Sequence, residues 1–183
     1  MGLEKPTYKI IKKDGSFELR DYDPYITSQV TVTAQDYNEA ASRGFNPLAN
    51  YIFGGNISKE KISMTSPVSA QPTSEKIAMT APVTVSGSGT YTVEFFIPAK
   101  FTLESLPTPT NERVRFKAHP RRRVAAIRFS GHFKQKNFEK NIQILRQWII
   151  KEGLEEKGEP AIAGYNPPFT PWFLKHNEVL IEV

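Results

Sequence analysis

Alternating apolar and polar residues predict that much of this chain forms short strands. In residues 113–119, basic side chains occupy every second position up to His119, with apolar ones between them, which predicts a strand with a basic outer face. Asp14 and Gly15 separate two such segments and favour a hairpin with a type I′ turn. The pattern predicts strands at residues 8–13, 16–22, 25–33, 90–98, 113–119, 124–129, 161–165 and 178–183.

Two longer segments carry apolar residues at three- and four-residue steps, which predicts amphipathic helices at residues 36–53 and 134–152. Asp36, with a glutamate three positions later, is a typical N-cap, and a glycine follows each helix where helices commonly end. Pro47 lies inside the first helix and predicts a kink there. The kink either shapes the wall of a cleft or is a tolerated irregularity.

The order of the predicted elements suggests a duplication. A strand at 25–33 precedes the first helix, a strand at 124–129 precedes the second, and equivalent positions lie 98 residues apart. A duplicated strand-helix-strand-strand unit predicts an α+β fold, in which an antiparallel sheet curls toward a barrel and carries two flanking helices. Residues 1–183 are then one domain with halves of roughly 1–98 and 99–183.

An octapeptide pattern, K-I-x-M-T-x-P-V, occurs at residues 61–68 and again at 76–83. Each copy is rich in β-branched residues and ends near a proline, so we expect two extended segments joined by a polar loop. Met64 and Met79 occupy equivalent positions and could line a pocket for a flat apolar ligand, because a thioether is polarizable. Filling gaps in the core is the favoured interpretation.

Composition and the absence of known motifs exclude several classes of function. The chain of 183 residues has no cysteine, which excludes disulfides, thiolate nucleophiles and cysteine-bound metals. The N-terminal residues lack the apolar segment of a secretion signal and no run approaches a membrane span, so we expect a cytoplasmic protein. A net charge of +5 is modest, and no nucleic-acid-binding motif accompanies it, so no nucleic-acid partner is expected. No motif of a nucleophile, metalloprotease or phosphate loop is found, and the chain is not expected to be an enzyme.

The doubled octapeptide, the sequence YIFGGN at 51–56, AGYNPP at 163–168 and NEV at 177–179 together resemble the SOUL family of haem-binding proteins. The resemblance covers nearly the whole chain. It implies a duplicated α+β fold with a barrel-like antiparallel sheet, related to bacterial effector-binding domains. It also implies binding of haem or another tetrapyrrole, as a carrier or buffer.

By this resemblance, the ligand lies in an apolar cleft between the first helix and the loop at 166–176, before the last strand. Arg43 matches the family's basic residue for the haem propionates, and a planar guanidinium suits carboxylates. Asn46, Asn50 and Tyr51 fall on the family's apolar and basic positions, so this chain departs from the pattern there. The expected haem-binding residues are Arg43, Asn46, Pro47, Asn50, Tyr51, Phe169, Trp172, Phe173, Lys175 and His176.

His176 is the candidate axial ligand of the haem iron, since it alone of the three histidines lies near the expected cleft. His119 and His132 are interpreted as structural. The alternative function is a module that binds another small hydrophobic or cationic effector, which an acidic residue in the cleft would favour.

Overall fold

The strands and helices form one sheet, two packed helices and a small two-stranded ribbon. A computed structural model describes residues 3–59, 74–166 and 170–183. The helices are α1 (Tyr37–Ile52) and α2 (Gln135–Lys151), with a short 3-10 helix at Trp172–Leu174. The strands are β1 (Tyr8–Asp14), β2 (Phe17–Tyr22), β3 (Tyr25–Thr33), β4 (Asn56–Ile57), β5 (Val83–Ser88), β6 (Thr90–Phe96), β7 (Thr108–Pro109), β8 (Arg115–His119), β9 (Arg122–Phe129), β10 (Ala161–Gly164) and β11 (Asn177–Glu182).

The main sheet has nine antiparallel strands in the order β1-β2-β9-β11-β10-β5-β6-β3-β8, and β4 pairs with β7 separately. The units β3-α1-β5-β6 and β9-α2-β10-β11 have the same element order and meet where β5 pairs with β10. Arg122 of β9 donates a hydrogen bond to Tyr25 of β3, five places away in the sheet, so the sheet curls until its two ends face each other. The predicted α+β class and the curled sheet are confirmed.

The core lies between the sheet and the two helices. Gly44 of α1 rests against the sheet, and a Cβ atom there would lie 2.4 Å from Val93 Cγ2, so only glycine allows this approach. Phe138 and Leu145 of α2 are fully buried against the other half of the sheet. The alternation of each strand therefore assigns one face to this core and the other to the inside of the curl.

Both predicted helices are confirmed with ends shifted by one residue. Asp36 caps α1, because its carboxylate accepts a hydrogen bond of 2.8 Å from the Glu39 amide. Pro47 lies within α1, and Gly54 follows with a φ of +117°. In the part of the chain that the structure describes, no helix is long and apolar enough to cross a membrane.

The first hairpin is confirmed, but its turn is not type I′. Asp14 pairs with Phe17, so Gly15 and Ser16 are the central residues. Gly15 has a φ of +58°, and no non-glycine residue in the described ranges has a positive φ. A type I′ turn needs two positive φ values, whereas one glycine at the first central position is the pattern of a type II′ turn.

The second copy of the octapeptide does not form a regular strand. The first copy, with Met64, lies outside the described residues. In the second copy, β5 begins only at Val83, and Ile77 instead donates a backbone hydrogen bond to Ile52 at the end of α1. Met79 is partly buried against the core, which confirms its interpretation as a packing residue.

Candidate functional site

A groove of about 500 Å³ lies beside α1. Four parts of the chain form it: α1, the start of β5, the segment between β9 and α2, and the residues that flank β10 and β11. The lining residues are Asn38, Ala41, Ser42, Phe45, Asn46, Val83, Phe133, Gly164, Asn166, Lys175 and Asn177. Its volume is within the range of small-molecule sites.

Two phenylalanines give the groove its apolar surface. Phe45 lies on α1, is 36% exposed, and packs edge-on against Phe95 of β6 with ring centroids 5.3 Å apart. Phe133 precedes α2 and packs edge-on against Phe138 at 4.5 Å. Gly164 faces Phe133, and a Cβ atom there would lie 3.3 Å from the ring, so the glycine leaves room for it. A flat apolar ligand could contact both rings.

The charge of the groove favours an anion. Lys175 is basic, and none of the described residues that line the groove is acidic. The asparagines hold the groove's backbone in place: Asn166 accepts a hydrogen bond from the His176 amide at 2.5 Å, and Asn177 donates one to the Gly131 carbonyl at 3.1 Å. An anionic group of a bound ligand would therefore meet a cation without a competing carboxylate.

Of the residues expected on α1, only Asn46 lines the groove. Arg43 lies on the outer side of the helix, where it pairs with Glu39 at 2.6 Å and donates to the Thr33 carbonyl at 2.8 Å. Pro47 is partly buried and Asn50 is exposed. Tyr51 is completely buried, and its hydroxyl donates a hydrogen bond of 3.0 Å to the Pro107 carbonyl, so it packs in the core.

The described part of the loop before the last strand, at 170–176, is largely exposed. Trp172 is 54% exposed and stacks on His132 at 5.7 Å, while Phe173 is 58% exposed and meets Trp172 edge-on. Neither is among the residues that line the groove, although Lys175, two positions after Phe173, is. Phe169 lies outside the described residues.

His176 belongs to a buried polar network at the end of β11. Its ring stacks on Tyr165 at 4.2 Å, and its Nε2 lies 2.8 Å from Glu178 Oε1. A metal ion could therefore reach only Nδ1, an arrangement found in metal-bound histidines whose other nitrogen bonds a carboxylate. Across the described residues, no group of three or more histidine, aspartate or glutamate side chains is arranged to hold a metal ion by itself.

Glu178 is the centre of this network. Both oxygens accept hydrogen bonds from Arg20, at 2.7 and 2.8 Å, and the Tyr165 hydroxyl donates another at 2.8 Å. Burial raises the pKa of Glu178, but the hydrogen bonds from Arg20 and His176 outweigh it and lower the pKa to about 2. Burial also raises the pKa of Tyr165, so its hydroxyl stays protonated. The carboxylate of Glu178 is thus ionised and holds His176 in place.

Sequence reasoning missed Phe45, Phe133 and Ala41 as groove residues. Phe45 and Ala41 belong to the apolar periodicity that predicts α1, which gives no sign that they line a groove. Phe133, an aromatic residue directly before a predicted helix, was the one available signal. Their common position became visible only when the two helices were packed on the sheet.

A family model and several related sequences all indicate the same protein family for this chain. The model of the family described as "SOUL heme-binding protein" matches residues 3–182. Mouse heme-binding protein 2 is 29% identical over 98% of this chain and 90% of its own length, and the human protein is 28% identical over 90% and 80%. Heme-binding protein 1 of Xenopus laevis is 24% identical over 96% of this chain and 94% of its own.

Solved structures share the fold at low identity. One described as a hydrolase from Listeria innocua has a TM-score of 0.61 at 12% identity, and covers 93% of both chains. The EcmrR C-terminal domain has a TM-score of 0.60 at 12% identity, and covers 96% of both. These likenesses concern the fold alone. Since the family model extends over almost every residue, the chain belongs to the SOUL haem-binding protein family.

Proposed function

We propose that this chain binds haem or a related tetrapyrrole in the groove beside α1, and acts as a carrier or buffer of it. The observation that supports this most is the combination of two aromatic rings in the lining, the exposed Phe45 and the partly buried Phe133, with one cation, Lys175, and no acidic residue among the described lining. Haem is a flat apolar ring with two anionic propionates, so it needs apolar surface and positive charge together. The named relatives of this chain are heme-binding proteins.

In this proposal the porphyrin ring lies against Phe45 and Phe133, and a propionate pairs with Lys175. Arg43 stands one helix face away, and it reaches a second propionate only by leaving Glu39, an exposed partner that contributes little stability. Trp172 and Phe173 then cover the ring from the mouth of the groove. His176 is the proposed axial ligand, through Nδ1, with Glu178 fixing its orientation.

The charge of the groove favours a tetrapyrrole over the cationic effector that is one form of the alternative function. A cationic effector would need a carboxylate in the groove, whereas the described lining offers Lys175. A tetrapyrrole with propionates therefore fits this groove better than a cation does.

Titration of the purified protein with hemin, followed at the Soret band, tests the proposal. We expect a saturable change with one hemin per chain. Lys175→Glu should weaken the affinity by about tenfold, because it reverses the charge that faces a propionate. The matched control is Lys9→Glu, an exposed lysine on β1, which should leave the affinity unchanged. Absence of a saturable Soret change in the unaltered protein would reject the proposed function.

The same titration tests the iron ligand. His176→Gln keeps a hydrogen-bond donor for Glu178 but removes the coordinating nitrogen, so the Soret maximum of the complex should move. His132→Gln, a change of the exposed histidine that stacks on Trp172, serves as the control. An identical spectrum for His176→Gln would exclude axial ligation by His176 and leave the groove assignment standing.

A further inference from the structure

The face of the sheet that points away from both helices encloses a second cavity, of about 360 Å³. Side chains from β2, β3, β5, β6, β8, β9, β10 and β11 line it, so it lies inside the curl of the sheet. The alternation that directs Val93 and Phe95 of β6 toward α1 directs Thr92 and Glu94 into this cavity. It is separate from the groove beside α1, with which it shares no lining residue.

This cavity corrects an expectation from the sequence. The basic positions of the strand that ends at His119 were expected to face solvent. His119 lines the cavity instead and is only 5% exposed, whereas Arg115 and Lys117 are exposed as expected, although Lys117 also borders the cavity. The curl of the sheet brings this end of β8 and the start of β9 to the same cavity. The ring of His119 stacks on Tyr25 at 4.6 Å.

Glu94 is the acidic group of the cavity. Its side chain is 14% exposed, the Thr27 hydroxyl donates to it at 3.3 Å, and His119 Nε2 lies 3.6 Å away. Burial raises the pKa of Glu94, but the nearby His119 and the charges of Lys117 and Arg122 lower it overall. A carboxylate can accept about four hydrogen bonds, so Glu94 retains capacity for a further donor.

Arg122 is the basic group that faces it. Its guanidinium donates to the Tyr25 hydroxyl and, at 3.4 Å, to Glu182. Its Nε atom is buried and has no hydrogen-bond partner among the residues that the structure describes. Leaving a buried donor of a charged group unpaired is unfavourable, but this atom has no accessible surface, so a ligand in the cavity would meet the terminal nitrogens of the guanidinium instead.

We propose that this inner cavity binds a small zwitterionic molecule, whose anionic group pairs with the guanidinium of Arg122 and whose cationic group pairs with Glu94. A simple anion would meet the carboxylates of Glu94, Glu159 and Glu182, and a simple cation would meet Lys117 and Arg122. Charged side chains of both signs line the cavity: Glu94, Lys117, Arg122, Glu159 and Glu182. A free amino acid or a molecule of similar size and charge has the required chemistry.

The test uses amino acids with increasing separation between their two charges: glycine, β-alanine, γ-aminobutyrate and ε-aminocaproate. Each is titrated into the isotope-labelled full chain and followed by amide NMR spectra. At least one should shift signals of β6 and β9 saturably. Butyrate and butylamine carry one charge each at the length of γ-aminobutyrate, and they should bind about tenfold more weakly than the best zwitterion.

Four outcomes of these titrations on the unaltered protein are distinct. Saturable binding of a zwitterion with weaker binding of both analogues supports the proposal. Equal binding of butyrate would show an anion site and overturn it, and equal binding of butylamine would show a cation site and overturn it. If no probe saturates, the cavity holds solvent only, and the proposal is wrong.

Substitutions of the cavity residues test whether the zwitterion binds in this cavity. Glu94→Gln and Arg122→Gln should each weaken the best zwitterion by about tenfold. The matched controls are Glu112→Gln, an exposed glutamate, and Arg121→Gln, whose exposed side chain pairs with Asp23, and both should bind normally. Hemin titration of the same four variants checks that they are folded. Unchanged zwitterion affinity in both Glu94→Gln and Arg122→Gln would overturn the site, whatever the result with hemin.

Discussion

Two buried ionic clusters lie on the inner face of the sheet, and they differ in how completely their polar atoms are bonded. In the closed cluster, Glu178 is bonded by Arg20, Tyr165 and His176, with Arg20 only 3% exposed. In the open cluster, Glu94 has one hydroxyl donor and a histidine at 3.6 Å, and Arg122 has a buried nitrogen without a described partner.

The difference separates a structural role from a binding role. In the closed cluster, complete bonding offsets the loss of water around Glu178 and Arg20, and leaves neither of these two side chains free for a ligand. The open cluster borders a cavity and keeps bonding capacity that a ligand could use. The closed cluster also ends at His176, beside the groove, so it connects the stability of the sheet with the geometry of the proposed haem site.

Breaking the closed cluster should lower the free energy of unfolding more than any other change considered below. Glu178→Ala leaves Arg20 buried without its bidentate partner, and we expect the free energy of unfolding to fall by about 3 to 5 kcal/mol. Urea unfolding followed by circular dichroism measures this. Glu156→Ala removes the partner of Arg146 at the surface and should change the free energy by no more than about 1 kcal/mol.

Replacing both partners, as Arg20→Met with Glu178→Met, should cost less than Glu178→Ala alone, because no buried charge is then left unpaired. If Glu178→Ala were as harmless as Glu156→Ala, the closed cluster would not be structural and the comparison would fail.

The second-largest expected effect is a loss of stability in acid, because protonation of Glu178 weakens the closed cluster. The pKa of Glu178 is about 2 in the folded chain, against 4.5 for an ordinary glutamate, so its contribution is complete above pH 4.5 and is lost as the pH falls toward 2. By pH 3 this should remove about 2 kcal/mol from the free energy of unfolding, relative to pH 6. Urea unfolding at the two pH values measures the loss, and the double methionine variant should lose correspondingly less. Equal losses in both proteins would contradict the assignment to Glu178.

Changing the open cluster should have the smallest effect on stability. Glu94→Gln keeps an acceptor for the Thr27 hydroxyl and removes a buried charge, so we expect a change within about 1 kcal/mol, of either sign. Thermal unfolding of the variant beside the unaltered chain measures it. A loss as large as that of Glu178→Ala would mean that Glu94 is part of the structural framework, and would remove the contrast between the clusters.

Local signals predicted the helices well because they depend on neighbouring residues. The Asp36 cap and the apolar periodicity of α1 and α2 are properties of a few consecutive turns, and their ends differ from prediction by one residue. The hairpin at Gly15 was predicted for the same reason, although the turn type was wrong. The groove residues were harder, because Phe133 and Lys175 lie 42 positions apart and meet only in the packed chain.

The sequence by itself determined the element types, the duplicated order, the family and the absence of cysteine chemistry, since periodicity, capping residues and motifs are all read along the chain. Tertiary structure alone decided which side of each strand is enclosed. Alternation separates two faces but does not say which of them a curled sheet will cover, so His119 could not be assigned to an interior from its spacing. The apolar periodicity of α1 includes Tyr51, which is core, but no local pattern could show that Arg122 would meet Tyr25 across the curl.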